Sequence, residues 1–216
     1  MDEIISTYSL DNLTNPIPYE RELFYDEHVV AAEKGIAPSR AVGVFSTLIF
    51  SEGKELILQK RSNKKRHNPY LVDKTVGGHI QYGDSPYYTA MVETVQELRV
   101  PSVVLRDKEN FERTLGILQK SLESTAILKL FHQGLHVLDQ FIGGKRVPVA
   151  KNIWSFMGIY SGGMKPVDRE ASGILYYELD ALYEEMARMP DIFTPDLHFY
   201  MDRFKPEITE FLKILD

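Results

Sequence analysis

Residues 77–100, GGHIQYGDSPYYTAMVETVQELRV, constrain this chain more than any other stretch. Gly77 and Gly78 let the backbone approach a neighbour more closely than a side chain would allow. A short loop with Asp84 follows. Pro86 then fits the first turn of a helix, with Asp84 or Ser85 as its cap. Helical spacing puts Tyr87, Met91, Thr94, Val95 and Leu98 on one side and Glu93, Gln96 and Glu97 on another. Acids at i and i+4, here Glu93 and Glu97, stand one turn apart on the same face. Unpaired, they repel and raise each other's pKa. Mg²⁺ prefers oxygen ligands and keeps several waters, so it turns that repulsion into coordination, and phosphate oxygens can complete its shell. The ion can then polarise phosphorus and generate a hydroxide-like nucleophile. Acids at this spacing also describe an ordinary solvated face; the glycine pair, Asp84 and the capped helix favour the metal role.

The flanking sequence supplies a framework. AVGVFSTLIF (41–50) and ELILQK (55–60), joined by the turn SEGK, read as a hairpin of two strands rich in β-branched and aromatic residues. LVDKTVGGHI (71–80) is extended up to the glycines, NIWSFMGIYSG (152–162) returns to strand character, and GILYY (173–177) is a further strand. Residues 1–40 form an N-terminal extension in which Pro16 and Pro18 break any early helix. A short helix over Glu27–Glu33 is ended by Gly35 and Pro38. Leu115, Leu118 and Leu122 recur at helical spacing, which makes residues 107–141 a helical insert. Residues 178–189 are helical, as is the C-terminal segment 197–216, which breaks before Pro206. Strands alternating with helices in this order predict one α/β (α+β) domain over 1–216, a mixed sheet with helices on its faces.

Segment 77–100 is similar to the Nudix box, G-x5-E-x7-R-E-U-x-E-E-x-G-U with U aliphatic. Gly78 matches the first glycine, Asp84 takes the first glutamate position, Glu93 and Glu97 match glutamates of the metal-binding helix, and Val100 closes the pattern. RAVGVFSTLIF, LILQKRS and NPYLVDKTVGGHI resemble the branch that includes isopentenyl-diphosphate isomerases. REASGILYYELDAL resembles a later family segment, with Glu170 in its acidic position and Tyr176 in its aromatic one. The similarity covers roughly 40–100 and 150–185. It implies a Nudix-like α/β/α sandwich with a mixed β-sheet and a helical insertion, Mg²⁺ (or Mn²⁺) as cofactor, and a small-molecule diphosphate substrate. Glu93, Glu97 and Glu170 would be the catalytic acids, and Glu93, Glu97, Gly78, Gln96 and Asp84 would lie at the metal. The pattern is also broken. Val92 replaces an arginine that braces a glutamate, Gln96 replaces a metal-binding glutamate with a neutral amide, and Arg99 replaces the glycine that ends the helix.

The chain contains no cysteine, which excludes disulfides, thiolate metal sites and cysteine nucleophiles. Isopentenyl-diphosphate isomerases of the similar branch use a cysteine as acid/base, so that chemistry is not expected here. Hydrolysis of a diphosphate bond needs only metal, water and a carboxylate base. A net charge of -6 argues against nucleic-acid binding. No apolar run reaches the roughly 18 residues of a membrane span. The acidic N-terminus does not read as a signal peptide, and a cytoplasmic setting is expected.

The basic loop 60–69 offers Lys60, Arg61 and Arg66 to substrate phosphates, with arginine suited to bidentate contact; a solvated loop is the other reading. His79 is either structural or a phosphate contact. Trp154, Phe156 and Tyr160 share a strand face, as core or as a base-stacking shelf. Two functions compete. One is a Mg²⁺-dependent hydrolase of nucleoside diphosphate derivatives or related organic diphosphates. The other is a binding or regulatory protein with weakened catalysis. A homodimer is expected in either case.

Overall fold

The computed structural model describes residues 3–65, 67–167 and 171–215. Ten strands run as β1 Ile4–Ser9, β2 Asn12–Glu20, β3 Arg40–Phe50, β4 Leu56–Arg61, β5 Val72–Asp73, β6 Val76–His79, β7 Ser102–Leu105, β8 Ala126–Ile142, β9 Lys145–Ile159 and β10 Ala171–Tyr177. The helices are α1 Arg21–Glu33, α2 Pro86–Leu98, α3 Lys108–Leu118, α4 Leu179–Arg188, α5 Pro195–Arg203 and α6 Lys205–Ile214.

The main sheet is ordered β10-β4-β3-β9-β8-β7, with β3 and β9 parallel and β8 and β9 antiparallel. Side chains alternate across it. Leu48 and Phe50 of β3 and Ile153, Met157 and Ile159 of β9 meet α3–α6 through Phe111, Leu182, Leu197, Tyr200 and Phe211. Phe45 and Ile49 of β3, Trp154 and Phe156 of β9 and Tyr160 just after it join Ala90 and Leu98 of α2 on the opposite face. A sheet covered on both faces requires near-continuous apolar strands, as β3 and β9 have. Trp154, Phe156 and Tyr160 are therefore core, not a stacking shelf.

The sheet forks at β3. Its C-terminal residues Ile49 and Phe50 pair with β4, while Val44–Thr47 pair with β6. Thr75 sits in the fork: its Oγ1 accepts the Ile49 N–H at 2.9 Å and donates to the Ile57 carbonyl at 2.5 Å. The glycine-bearing β6 is thereby held against β3 while β4 diverges, and the gap opens toward α2.

The expected helical insert over 107–141 is corrected. Only Lys108–Leu118 is α-helical; from Ala126 the chain is the long strand β8, and β9 begins at Lys145, before the expected position 152. The leucine spacing belongs to α3 and its following turn alone. From His132 to Leu138 the exposed and half-buried positions alternate with a period of two, as on a strand. Gly143 and Gly144, both with positive φ, form the two-residue turn of the β8–β9 hairpin, with Ile142 opposite Lys145. The N-terminal extension also has more structure than expected. β1 pairs with β3, β2 adds an edge strand that accommodates Pro16 and Pro18, and the helix begins at Arg21 instead of Glu27. The C-terminal segment is two helices that break at Phe204, with Pro206 in the first turn of α6.

Candidate active site

Helix α2 begins with Ser85, whose Oγ accepts the Tyr88 N–H at 3.2 Å, and Pro86 follows in the first turn. Its end needs no glycine: Arg99 takes the left-handed conformation at φ 58°, and Val100 N–H returns to the Thr94 carbonyl at 3.1 Å. The buried stripe is Thr89, Ala90, Thr94 and Leu98, whereas Met91 and Val95, grouped by helical spacing with Thr94 and Leu98, are exposed. Small residues seat α2 close to the sheet, and Thr94 bonds to Ser102 at 2.9 Å. This placement brings Glu93 and Glu97 onto a cleft of about 280 Å³.

The two glutamates form the acidic wall of the cleft, near Gly77, Gly78 and His79 of β6. Gln59 of β4 donates its amide both to Glu97 Oε2, at 3.0 Å, and to the Thr75 carbonyl. Burial raises the Glu97 pKa, opposed by the Gln59 hydrogen bond and the charge of Lys65. Burial, followed by the negative charge of Glu97, pushes Glu93 up to about 7. A carboxylate pair in this state is short of positive charge.

The facing wall is basic and already cross-paired. Arg61 Nη1 reaches Asp73 Oδ2 at 2.8 Å, and its other nitrogens donate to the His67 and Asn68 carbonyls. Thr194 Oγ1 donates to Asp73 Oδ1 at 2.8 Å. Lys151 Nζ lies 3.0 Å from both oxygens of Asp196, and Lys74 Nζ lies 3.3 Å from Asp73 and 3.5 Å from Asp196. Burial alone would raise the Asp196 carboxyl, but Lys151 and Lys74 hold it well below the usual range. Burial would likewise lower the Lys74 ammonium, but Asp73 and Asp196 hold it above its ordinary value.

At the N-terminal side, Tyr25 Oη lies 2.6 Å from His79 Nε2. Burial, reinforced by Arg21 and Lys151, drives the His79 pKa down to about 3, so the imidazole is neutral. Arg21 pairs with Glu3, whose other oxygen accepts from Gln81 at 2.8 Å.

Of the residues singled out in the sequence, Glu93, Glu97, Gly78, Arg61 and His79 line the cleft. Lys60, Asp84 and Gln96 are exposed and do not line it. Arg66 and Glu170 lie outside the described residues. Sequence reasoning missed Lys74, Lys151, Asp196 and the N-terminal contributors Glu3, Arg21 and Tyr25. One signal was available. Lys151 interrupts the apolar run VPVAKNIWSF, and a charge inside a two-faced buried strand needs a partner.

Among the described residues, no three histidine, aspartate or glutamate side chains cluster to hold a metal ion. Glu93 and Glu97 still supply two oxygen donors whose raised pKa values a cation would relieve. That donor set fits a hard divalent ion that retains much of its water.

No family model matches the sequence. A curated isopentenyl-diphosphate Delta-isomerase from Jannaschia sp. is 27% identical over 173 residues, covering 79% of this chain and 81% of that protein. Among solved structures, DR0079 from Deinococcus radiodurans superposes with a TM-score of 0.52 at 13% identity, over 87% of this chain and 90% of that one. The MutT protein from Methanosarcina mazei gives 0.51 at 17% identity, over 77% and 94%. The chain has the fold of the Nudix hydrolases, as the resemblance of its glycine–helix segment implied.

Proposed function

We propose that the chain is a divalent-metal-dependent pyrophosphohydrolase. It would use Mg²⁺, with Mn²⁺ as the alternative ion, and cleave a diphosphate bond in a nucleoside diphosphate derivative or related small organic diphosphate. One observation carries this reading: two half-buried, poorly neutralised carboxylates face a wall of side-chain cations across a single cleft. The described lining holds five lysine and arginine side chains and five aspartates and glutamates, so it is close to neutral when all are charged. A divalent ion on Glu93 and Glu97 leaves a net positive site, which suits a diphosphate. Bound there, the metal would polarise phosphorus and acidify water. Glu97, or Glu170, accepts the water's proton, and the basic wall stabilises the charge on the departing phosphate. With no cysteine in the chain, isomerase chemistry of the cysteine acid/base type has no residue to perform it.

A panel of diphosphate substrates incubated with Mg²⁺ or Mn²⁺ tests the proposal. Release of phosphate or a monophosphate that stops with EDTA is the expected result, and no turnover across the panel overturns it. The second reading, a ligand-binding protein on this scaffold, is favoured by Val92, by the solvent-facing Gln96 and by the lack of a three-ligand cluster among the described residues. It predicts ligand binding without turnover.

A homodimer in a cytoplasmic setting belongs to the same proposal. Beyond Lys129, β8 pairs only with β9 among the described residues, and Leu135, Val137 and Phe141 are exposed along it. Such an edge invites pairing with a second copy. Light scattering at tens of micromolar should give twice the chain mass; a monomer would rule a stable dimer out.

A further inference from the structure

Taking the cleft as a diphosphate site, we infer that Lys74 is a built-in cation that binds a phosphate oxygen directly, so the site accepts an oxyanion with no metal present. Three features of the basic wall support this. First, the pairing is uneven: Arg61, Lys74 and Lys151 share two ion-paired carboxylates, Asp73 and Asp196, with Glu97 across the recess. Each aspartate has a closer partner than Lys74, since Arg61 reaches Asp73 at 2.8 Å and Lys151 reaches Asp196 at 3.0 Å, against 3.3 and 3.5 Å for Lys74. Lys74 is thus the most loosely paired of the three, and two long contacts leave capacity among its three N–H donors. Second, its side chain is only 8% exposed yet faces the cleft. A buried ammonium is strongly attracted to an anion because little water competes for it. Third, there is room. A recess of about 20 Å³ beside Lys74, Arg61 and Glu97 matches one oxygen atom.

Gly77 makes this arrangement possible. A Cβ there would collide with Lys74 Cε and stand 3.2 Å from Nζ. The missing side chain of Gly77 is therefore the space through which Lys74 reaches the cleft. Glu97, on the far side of the recess, can accept a hydrogen bond from a phosphate hydroxyl.

Calorimetry with inorganic pyrophosphate in EDTA tests the inference. The wild-type chain should bind, Lys74→Met should bind at least tenfold more weakly, and the double variant Glu93→Gln, Glu97→Gln should bind at least as tightly as wild type. Absence of wild-type binding in EDTA overturns the inference, as does wild-type affinity in a folded Lys74→Met protein. Should Lys74→Met fail to fold, Gly77→Ala decides: its Cβ would meet the flexible end of Lys74 and lie 3.2 Å from the Phe45 carbonyl, so weaker binding supports the inference and unchanged binding overturns it. The outcomes separate from those of the hydrolase proposal. Binding in EDTA without turnover in Mg²⁺ keeps this inference and removes the hydrolase; turnover in Mg²⁺ without binding in EDTA does the reverse.

Discussion

The two walls of the cleft are built in opposite ways. The acidic wall comes from one helix, two residues a single turn apart, and its carboxylates are held in a state that disfavours their charge. The basic wall comes from β4, β5, the residues after it, β9 and the start of α5, and nearly every charge on it has a fixed opposite. A wall drawn from one element can be read from sequence but is left electrostatically unsatisfied. A wall drawn from many elements is invisible in sequence and carries its own neutralisation. The unsatisfied wall is where a ligand gains most, and the satisfied one is where the fold has most to lose.

That contrast breaks first at Asp196. Replacing it with alanine leaves Lys151 and Lys74 buried with one carboxylate, Asp73, between them and Arg61. A loss of about 3–5 kcal/mol in urea unfolding is expected, and a loss under 1 kcal/mol would mean the basic wall is not structural. Next is Glu97→Gln, which should cut metal-dependent turnover by about a hundredfold or more, roughly 2.7 kcal/mol, while leaving the melting temperature equal or higher. A large drop in melting temperature would show that the acidic wall supports the fold after all.

The walls should also respond to pH with opposite signs. Glu93 rises from 4.5 to about 7 on folding, so its ionised form is disfavoured in the folded chain. Its contribution to metal-free stability is fully present below pH 4.5 and is lost as pH rises through about 7. Asp73 and Asp196 are depressed, so their contribution is present above the ordinary carboxylate range and lost as pH falls through their lowered values. Metal binding needs Glu93 ionised, so affinity for Mn²⁺ should gain up to about tenfold per pH unit on approaching neutrality and then level off. Glu93→Gln should flatten both the stability slope and that pH dependence, leaving the part that the raised Glu97 carboxyl contributes; unchanged slopes would assign them elsewhere. The smallest effect is at Arg99, held at positive φ. Arg99→Gly should stabilise the chain by about 0.5–1 kcal/mol in thermal unfolding with no change in ligand binding.

Legibility followed the same division. The β3–β4 hairpin, the extended run to the glycines, the cap and span of α2, and the break near Pro206 were readable because each is set by residues close in sequence. The β8 strand was misread because leucine spacing was extended past α3, although the Gly143–Gly144 turn marks a hairpin. Met91 and Val95 were grouped with Thr94 and Leu98 because periodicity fixes a face only to within about one residue position; the seat of α2 is chosen by Ala90 and Thr94 against the sheet. Lys74 and Asp196 could not be paired from sequence at all, since 122 residues separate them. Their meeting depends on α5 returning to the sheet beside β5.

The fork at β3 sets the spacing between these walls. The Thr75 hydroxyl rivets β3 to β4, its carbonyl takes the amide that steadies Glu97, and its chain neighbour is Lys74. One small residue thus gauges the aperture for both sides at once. A chain altered there would lose the calibration of acid and base together, even with every charged side chain still in place.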